Sequence, residues 1–166
     1  MTVIRVLENG KLLEYGFDDL LRYHGFGFPG GVAHGFKVMQ RAFPLLSPEA
    51  PPERREISVR TAFRGPGARD AFEMVTRAVI EDRYAIDASL EMPERGETLM
   101  RYVFELSYRN ACIMLKIREG HVRDEFILLG RKPERTPEEE ERLTWLKQEM
   151  ADRLLVADPL DVYETI

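Results

Sequence analysis

Tyr102-Val103-Phe104-Glu105-Leu106-Ser107-Tyr108-Arg109-Asn110-Ala111-Cys112-Ile113-Met114-Leu115-Lys116-Ile117 is the stretch that decides the fold class. Tyr102, Phe104, Leu106 and Tyr108 fall on alternate positions against Glu105 and Ser107, and Met100 and Arg101 extend the alternation backward. Successive side chains of a strand point to opposite faces, so this period of two predicts a half-buried strand. After Arg109-Asn110, a tight turn, Ile113, Leu115 and Ile117 alternate with Met114, Lys116 and Arg118. Two such runs joined by two residues pair as an antiparallel hairpin. Cys112, inside the second run, reads as a buried and inert small hydrophobe.

Upstream, Glu56 to Phe63 alternates in the same way, with Ile57, Val59, Thr61 and Phe63 on one face. Gly65-Pro66-Gly67 follows, and Ala71, Phe72, Val75, Ala78 and Val79 mark a buried helix. Arg83 to Leu90 reads as a further strand. Between Val32 and Phe43 the apolar residues Val32, Phe36, Met39 and Phe43 recur at spacings of a helical face. Pro44, Pro48, Pro51 and Pro52 are expected to end that helix, because proline lacks the backbone donor a helix interior needs. Phe17 to His24 reads as a short helix with acids in its first turn. Asn9-Gly10 makes a hairpin between Thr2–Leu7 and Lys11–Tyr15, a helical start being the competing reading. Downstream, His121 to Leu129 is open between helix and strand. Thr136-Pro137-Glu138-Glu139 is a capping box that starts a helix with Leu143, Leu146, Met150 and Leu154 on its apolar face. Asp158-Pro159 closes it, and Leu160 to Ile166 is a tail. The reading is an α+β fold, with helices on one face of a mixed, largely antiparallel sheet. Residues 1–132 form the domain; residues 133–166 add a C-terminal helix and tail packed on it.

The chain has 166 residues and a formal net charge of −5, with both signs interspersed. That argues against nucleic acid as a partner, which requires a basic stripe. The single cysteine permits neither an internal disulfide nor a cysteine-rich zinc site. No apolar run is long enough for a membrane span, and Arg5, Glu8 and Lys11 interrupt any secretory core, so the expected location is the cytoplasm.

The candidate functional segment is Tyr23-His24-Gly25-Phe26-Gly27-Phe28-Pro29-Gly30-Gly31. Gly25, Gly27 and Gly30 match the spacing of a dinucleotide fingerprint, but the segment leaves a helix where the fingerprint must leave a strand. Glycines here permit close backbone approach, to a ligand or to a second helix. His24 and His34 flank the segment, with Asp18, Asp19 and Asp70 as carboxylates. They read as structural histidines or as the beginning of a metal site short of its three or four ligands. There is no Gly-x-Ser-x-Gly elbow.

Tyr23-His24-Gly25-x-x-x-Pro29-Gly30 followed by Gly35-Phe36-Lys37 resembles the aromatic-His-Gly-His-x-Cys-Pro-Gly…Gly-aromatic-Arg motif of the FmdE-like family, named for a component of formylmethanofuran dehydrogenase. Asp70-Ala71-Phe72-Glu73-Met74-Val75-Thr76 is similar to that family's Asp-Ala-Ile-Gln-x-x-Thr-Gly-Cys-Thr helix, and the hairpin from Tyr102 to Ile117 to its strand pair. Asp158-Pro159-Leu160-Asp161-Val162-Tyr163 resembles its closing acidic-Leu-Phe-x-Val segment. The resemblance implies an α+β fold with a mixed sheet, commonly a homodimer, and a zinc-type metal site built from histidine and cysteine. This chain has Phe26 at the motif's second histidine and Phe28 at its cysteine. The cysteine before the second helix falls near Pro66 or Gly67, and the Gly-Cys at its end is Arg77-Ala78. Only His24 remains as a matched ligand, so the metal site reads as degenerate and no cofactor is expected.

Three functions follow as expectations. The first is a binding or accessory module that takes a small apolar or aromatic ligand beside Gly25, Phe26 and Phe28. His24, His34, Asp70 and Arg77 are its candidate polar contacts. The second is a zinc-binding protein or metalloenzyme using His24 and His34 with Asp70. The third is a structural component of a redox complex that presents the Thr136–Leu154 helix and Trp145. Catalytic residues are not assigned.

Overall fold

The computed structural model describes residues 2–166. Ile4–Glu8 (β1) and Lys11–Tyr15 (β2) form the N-terminal hairpin. Its turn needs positive φ at both central residues, which Asn9 (φ 50°) and Gly10 (φ 78°) supply. Both turn N–H groups donate to the Glu53 carboxylate, at 3.0 and 2.8 Å. Phe17–His24 (α1) follows, capped by Asp19, whose carboxylate accepts the Gly16 N–H at 2.8 Å. Gly25, at φ 92°, closes it.

The main sheet contains Ile57–Thr61 (β3), Tyr84–Ile86 (β4), Val103–Tyr108 (β5), Ala111–Ile117 (β6) and Tyr163–Thr165 (β7). Its order is β4-β3-β5-β6-β7, and every pair except β3–β4 is antiparallel. The parallel pair is joined through Pro66–Thr76 (α3), as parallel neighbours require a crossover. The fold is α+β, as expected. Ile57, Val59, Thr61, Phe104, Leu106, Leu115, Ile117 and Tyr163 form the buried inner face. The outer face is polar: Arg60 pairs with Asp87 and, at 2.8 Å, with Glu105.

Four expectations about elements are corrected. Cys112 is exposed on the outer face, 3.5 Å from the Ser107 hydroxyl, because the register pairs Ser107 with Cys112 and alternation places both outward. Pro29–Leu46 (α2) runs through Pro44, which lies in the last turn and costs only one backbone bond; Ser47 N–H still donates to Phe43 at 2.9 Å. Helix α3 ends at Thr76, before Ala78 and Val79. Arg77 turns left-handed there, and the Glu73 carboxylate captures the N–H groups of Val79 (2.8 Å) and Ile80 (3.0 Å). The C-terminal residues, read only as a tail, form β7 and close the sheet edge beside β6.

Asp124–Arg131 (α4) resolves the ambiguous segment as a helix. Pro137–Val156 (α5) begins at the Thr136–Glu139 capping box, and Pro159–Val162 (α6) is a single turn before β7. Helix α2 is the central element, packed between α3 and α5 over the inner face of the sheet. Its glycines are what let it lie so close. A Cβ on Gly35 would stand 2.9 Å from the Ala71 Cβ, and one on Gly31 3.3 Å from the Gly67 Cα. Two buried cations cap helix ends here: Lys37 Nζ donates to the Ala157 carbonyl at 2.7 Å, and Arg54 to Met74 at 2.7 Å and Val75 at 2.8 Å. No helix among the described residues is long and apolar enough to cross a membrane.

Candidate functional site

A cavity of about 370 Å³ opens where the N-terminal turns of α2 meet the β3–α3 connection, α4 and α5. Phe28, His34, Phe63, Tyr102, Ile127 and Met150 supply most of its wall. The inner-face rows of the sheet explain the aromatic side. Phe63 continues the Ile57-Val59-Thr61 alternation past the end of β3, and Tyr102 continues that of β5 backward. Their rings lie 4.8 Å apart between centroids, and Tyr102 stands 4.8 Å from the imidazole of His34.

His34 is wholly buried. Its Nδ1 lies 2.9 Å from the Tyr163 hydroxyl, and its Nε2 has no hydrogen-bond partner among the described residues. Burial holds the imidazole pKa down at about 3, with the positive fields of His121 and Arg153 acting in the same direction. The ring is therefore neutral at physiological pH, with one nitrogen donating and one accepting. Burial also pushes the hydroxyls of Tyr102 and Tyr163 well above the usual phenol value, so both remain protonated.

His24 belongs to a different cluster. Its Nδ1 lies 2.8 Å from the Asp70 carboxylate on α3, and Asp70 also accepts from Arg69 at 3.3 Å. The His24 Nε2 is buried without a partner. Phe28 stands between the two clusters: it lines the cavity, packs 5.9 Å from the His24 ring and lies 4.3 Å beneath Lys147 Nζ. Of the other anticipated residues, Gly25 terminates α1, its N–H donating to Leu21 at 2.7 Å, and Phe26 projects into solvent, 86% exposed. Arg77 pairs with Glu73 at 3.2 Å at the far end of α3 from Asp70. Among the seven anticipated residues, then, only Phe28 and His34 line the cavity, and His24 and Asp70 form a pair beside it.

No family model matches this chain, and no curated protein does either.

The glycine segment has a structural assignment. Gly30 and Gly31 lie inside α2, not in a loop, and what approaches them is protein: a Cβ on Gly30 would meet the Met150 Cε at 2.4 Å. The segment leaves α1 and enters α2, so no strand precedes it as a dinucleotide fold requires. Among the described residues no three of histidine, cysteine, aspartate and glutamate converge. The His24 partner is a single carboxylate, and the neighbours of His34 are phenols and phenyl rings. Trp145 is half exposed, with the Arg142 guanidinium stacked 4.6 Å from its ring.

Sequence reading missed Phe63 and Tyr102 as cavity residues. The signal was present: both continue the inner-face alternation past the ends of their strands. Ile127, Arg131 and Met150 carried no such mark, because α4 and α5 reach the site only through the tertiary fold.

Proposed function

We propose that this protein is a small-ligand-binding module that holds a compact, largely apolar ligand in the cavity between α2, α3, α4 and α5. The observation that carries the reading is the combination of apolar walls with one fully buried imidazole whose Nε2 is unpartnered. Binding sites are mostly apolar with a few polar groups that fix orientation, and volumes of roughly 300–1,000 Å³ are typical of them.

The same reading accounts for the resemblance to the FmdE-like family. Phe28 stands at one position that carries cysteine in that family, and a second falls near Pro66 or Gly67; all three residues border the cavity. A degenerate metal centre whose thiolates gave way to such residues would leave an apolar recess of this kind. Binding, rather than metal chemistry, is the activity this lining supports.

The test is a thermal-shift screen of small aromatic compounds against the native protein and Gly130→Leu. Gly130 lines the cavity from α4, with nothing within 4 Å of its Cβ position. Leucine there adds bulk at the cavity's edge, from a Cβ position free of contacts, and removes a helix-weakening glycine. The expected result is that compounds stabilise the native protein and fail to stabilise a variant that melts at or above the native temperature. Equal stabilisation of both proteins would remove the cavity as the site.

A further inference from the structure

The cavity has two unlike ends. The inner end is the neutral imidazole of His34, with no solvent exposure. The outer end is formed by Arg64 and Arg131, both exposed and both lining the cavity. Arg131 pairs with Glu97 at 2.7 Å, across an open contact in which Glu97 is 70% exposed. Arg64 makes no ion pair among the described residues, and no acidic side chain lines the cavity. An uncompensated guanidinium beside an apolar recess is a site for a planar anion, because its fork of donors matches a carboxylate. The buried end cannot take a second charge, since a charge there would be desolvated with no counter-charge.

We propose that the ligand is an aromatic monocarboxylate. The carboxylate lies at Arg64, on the rim to which Arg131 also contributes, and the ring packs between Phe28, Phe63 and Tyr102. This rests on the reading of the cavity as a ligand site and adds the ligand's charge.

Calorimetric titration with para-hydroxyphenylacetate, its primary amide and phenylacetate tests it. The acid should bind about tenfold more tightly than the amide, the usual margin of a charge-assisted contact over a neutral one. Arg64→Gln or high salt should abolish that margin while leaving amide binding unchanged. Phenylacetate, with the same charge and ring, should also bind. If acid and amide bind equally, or if the preference survives Arg64→Gln, the charge assignment is wrong and the cavity reading stands. If none of the three binds at concentrations up to about 10 mM, where even weak ligands of a few kcal/mol register, both readings fail.

Discussion

The close crossing of α2 and α3 yields a sharp prediction, because one chemical change made at three glycines should have different consequences. At Gly67 a Cβ would lie 2.6 Å from the Phe28 carbonyl oxygen, 2.8 Å from Val32 N and 3.0 Å from Gly31 C. All three are backbone atoms, so relief requires the two helices to separate. At Gly35 the obstructing atoms are the Ala71 Cβ at 2.9 Å and Ala68 backbone at 3.3 Å. At Gly130 there is nothing within 4 Å. Overpacking of this kind costs about 1–3 kcal/mol, and alanine in place of a helical glycine returns roughly 0.5–1 kcal/mol. Gly67→Ala should therefore lose about 2 kcal/mol and Gly35→Ala about 1 kcal/mol, while Gly130→Ala should gain about 0.5 kcal/mol. For a chain of this length each kcal/mol moves the melting temperature by about 2–4 °C. Urea unfolding followed by circular dichroism reads the order directly, and unchanged m-values would confirm that the native state is the one affected. A Gly67→Ala protein as stable as Gly130→Ala would refute the crossing as the reason for these glycines.

Two further outcomes follow from groups whose surroundings are fixed. His34 titrates near 3 in the fold against an ordinary value of 6.5, so between those limits the unfolded chain binds the extra proton and stability falls as pH falls. The native protein should lose up to about 1.4 kcal/mol per pH unit from this group between roughly pH 6 and pH 4. His34→Phe should lack that component when urea midpoints are compared across the range, and parallel pH profiles for the two proteins would count against the buried neutral imidazole. Cys112 is exposed on the outer face of the sheet. A thiol reagent should therefore modify one equivalent in the native protein without denaturant; modification only on unfolding would place the side chain inside.

What was legible in the sequence is what one segment carries by itself. The alternation of Phe104, Leu106 and Tyr108 against Glu105 and Ser107 specifies both a strand and its buried face. Thr136 and Glu139 bond each other's backbone, so the start of α5 is written in four residues. Asn9-Gly10 works in the same way. The failures have other causes. Cys112 has the apolar neighbours of a core residue, but it shares its parity with Met114 and Lys116, and alternation places it on their outward face. Pro44 has the signature of a helix stop and is tolerated because it falls where the helix was about to end. The His34–Tyr163 contact joins residues 129 positions apart, and nothing local to either marks it. The glycines were conspicuous, but whether a glycine admits a ligand or a helix depends on what the fold brings opposite it.

That dependence also explains why the cavity and the unpartnered imidazole occur together. The α2–α3 crossing draws the Phe28 carbonyl down onto Gly67, which fixes one wall. The same helix carries His34 one turn past Gly30, toward the overrunning ends of β3 and β5. There Phe63 and Tyr102 present ring faces, not donors or acceptors, so only Tyr163, arriving on the last strand, offers a polar atom to the imidazole. The imidazole thus keeps one hydrogen bond, to Tyr163, and one buried nitrogen without a partner among the described residues, and about 1–3 kcal/mol of desolvation cost is held in the folded state beside the cavity.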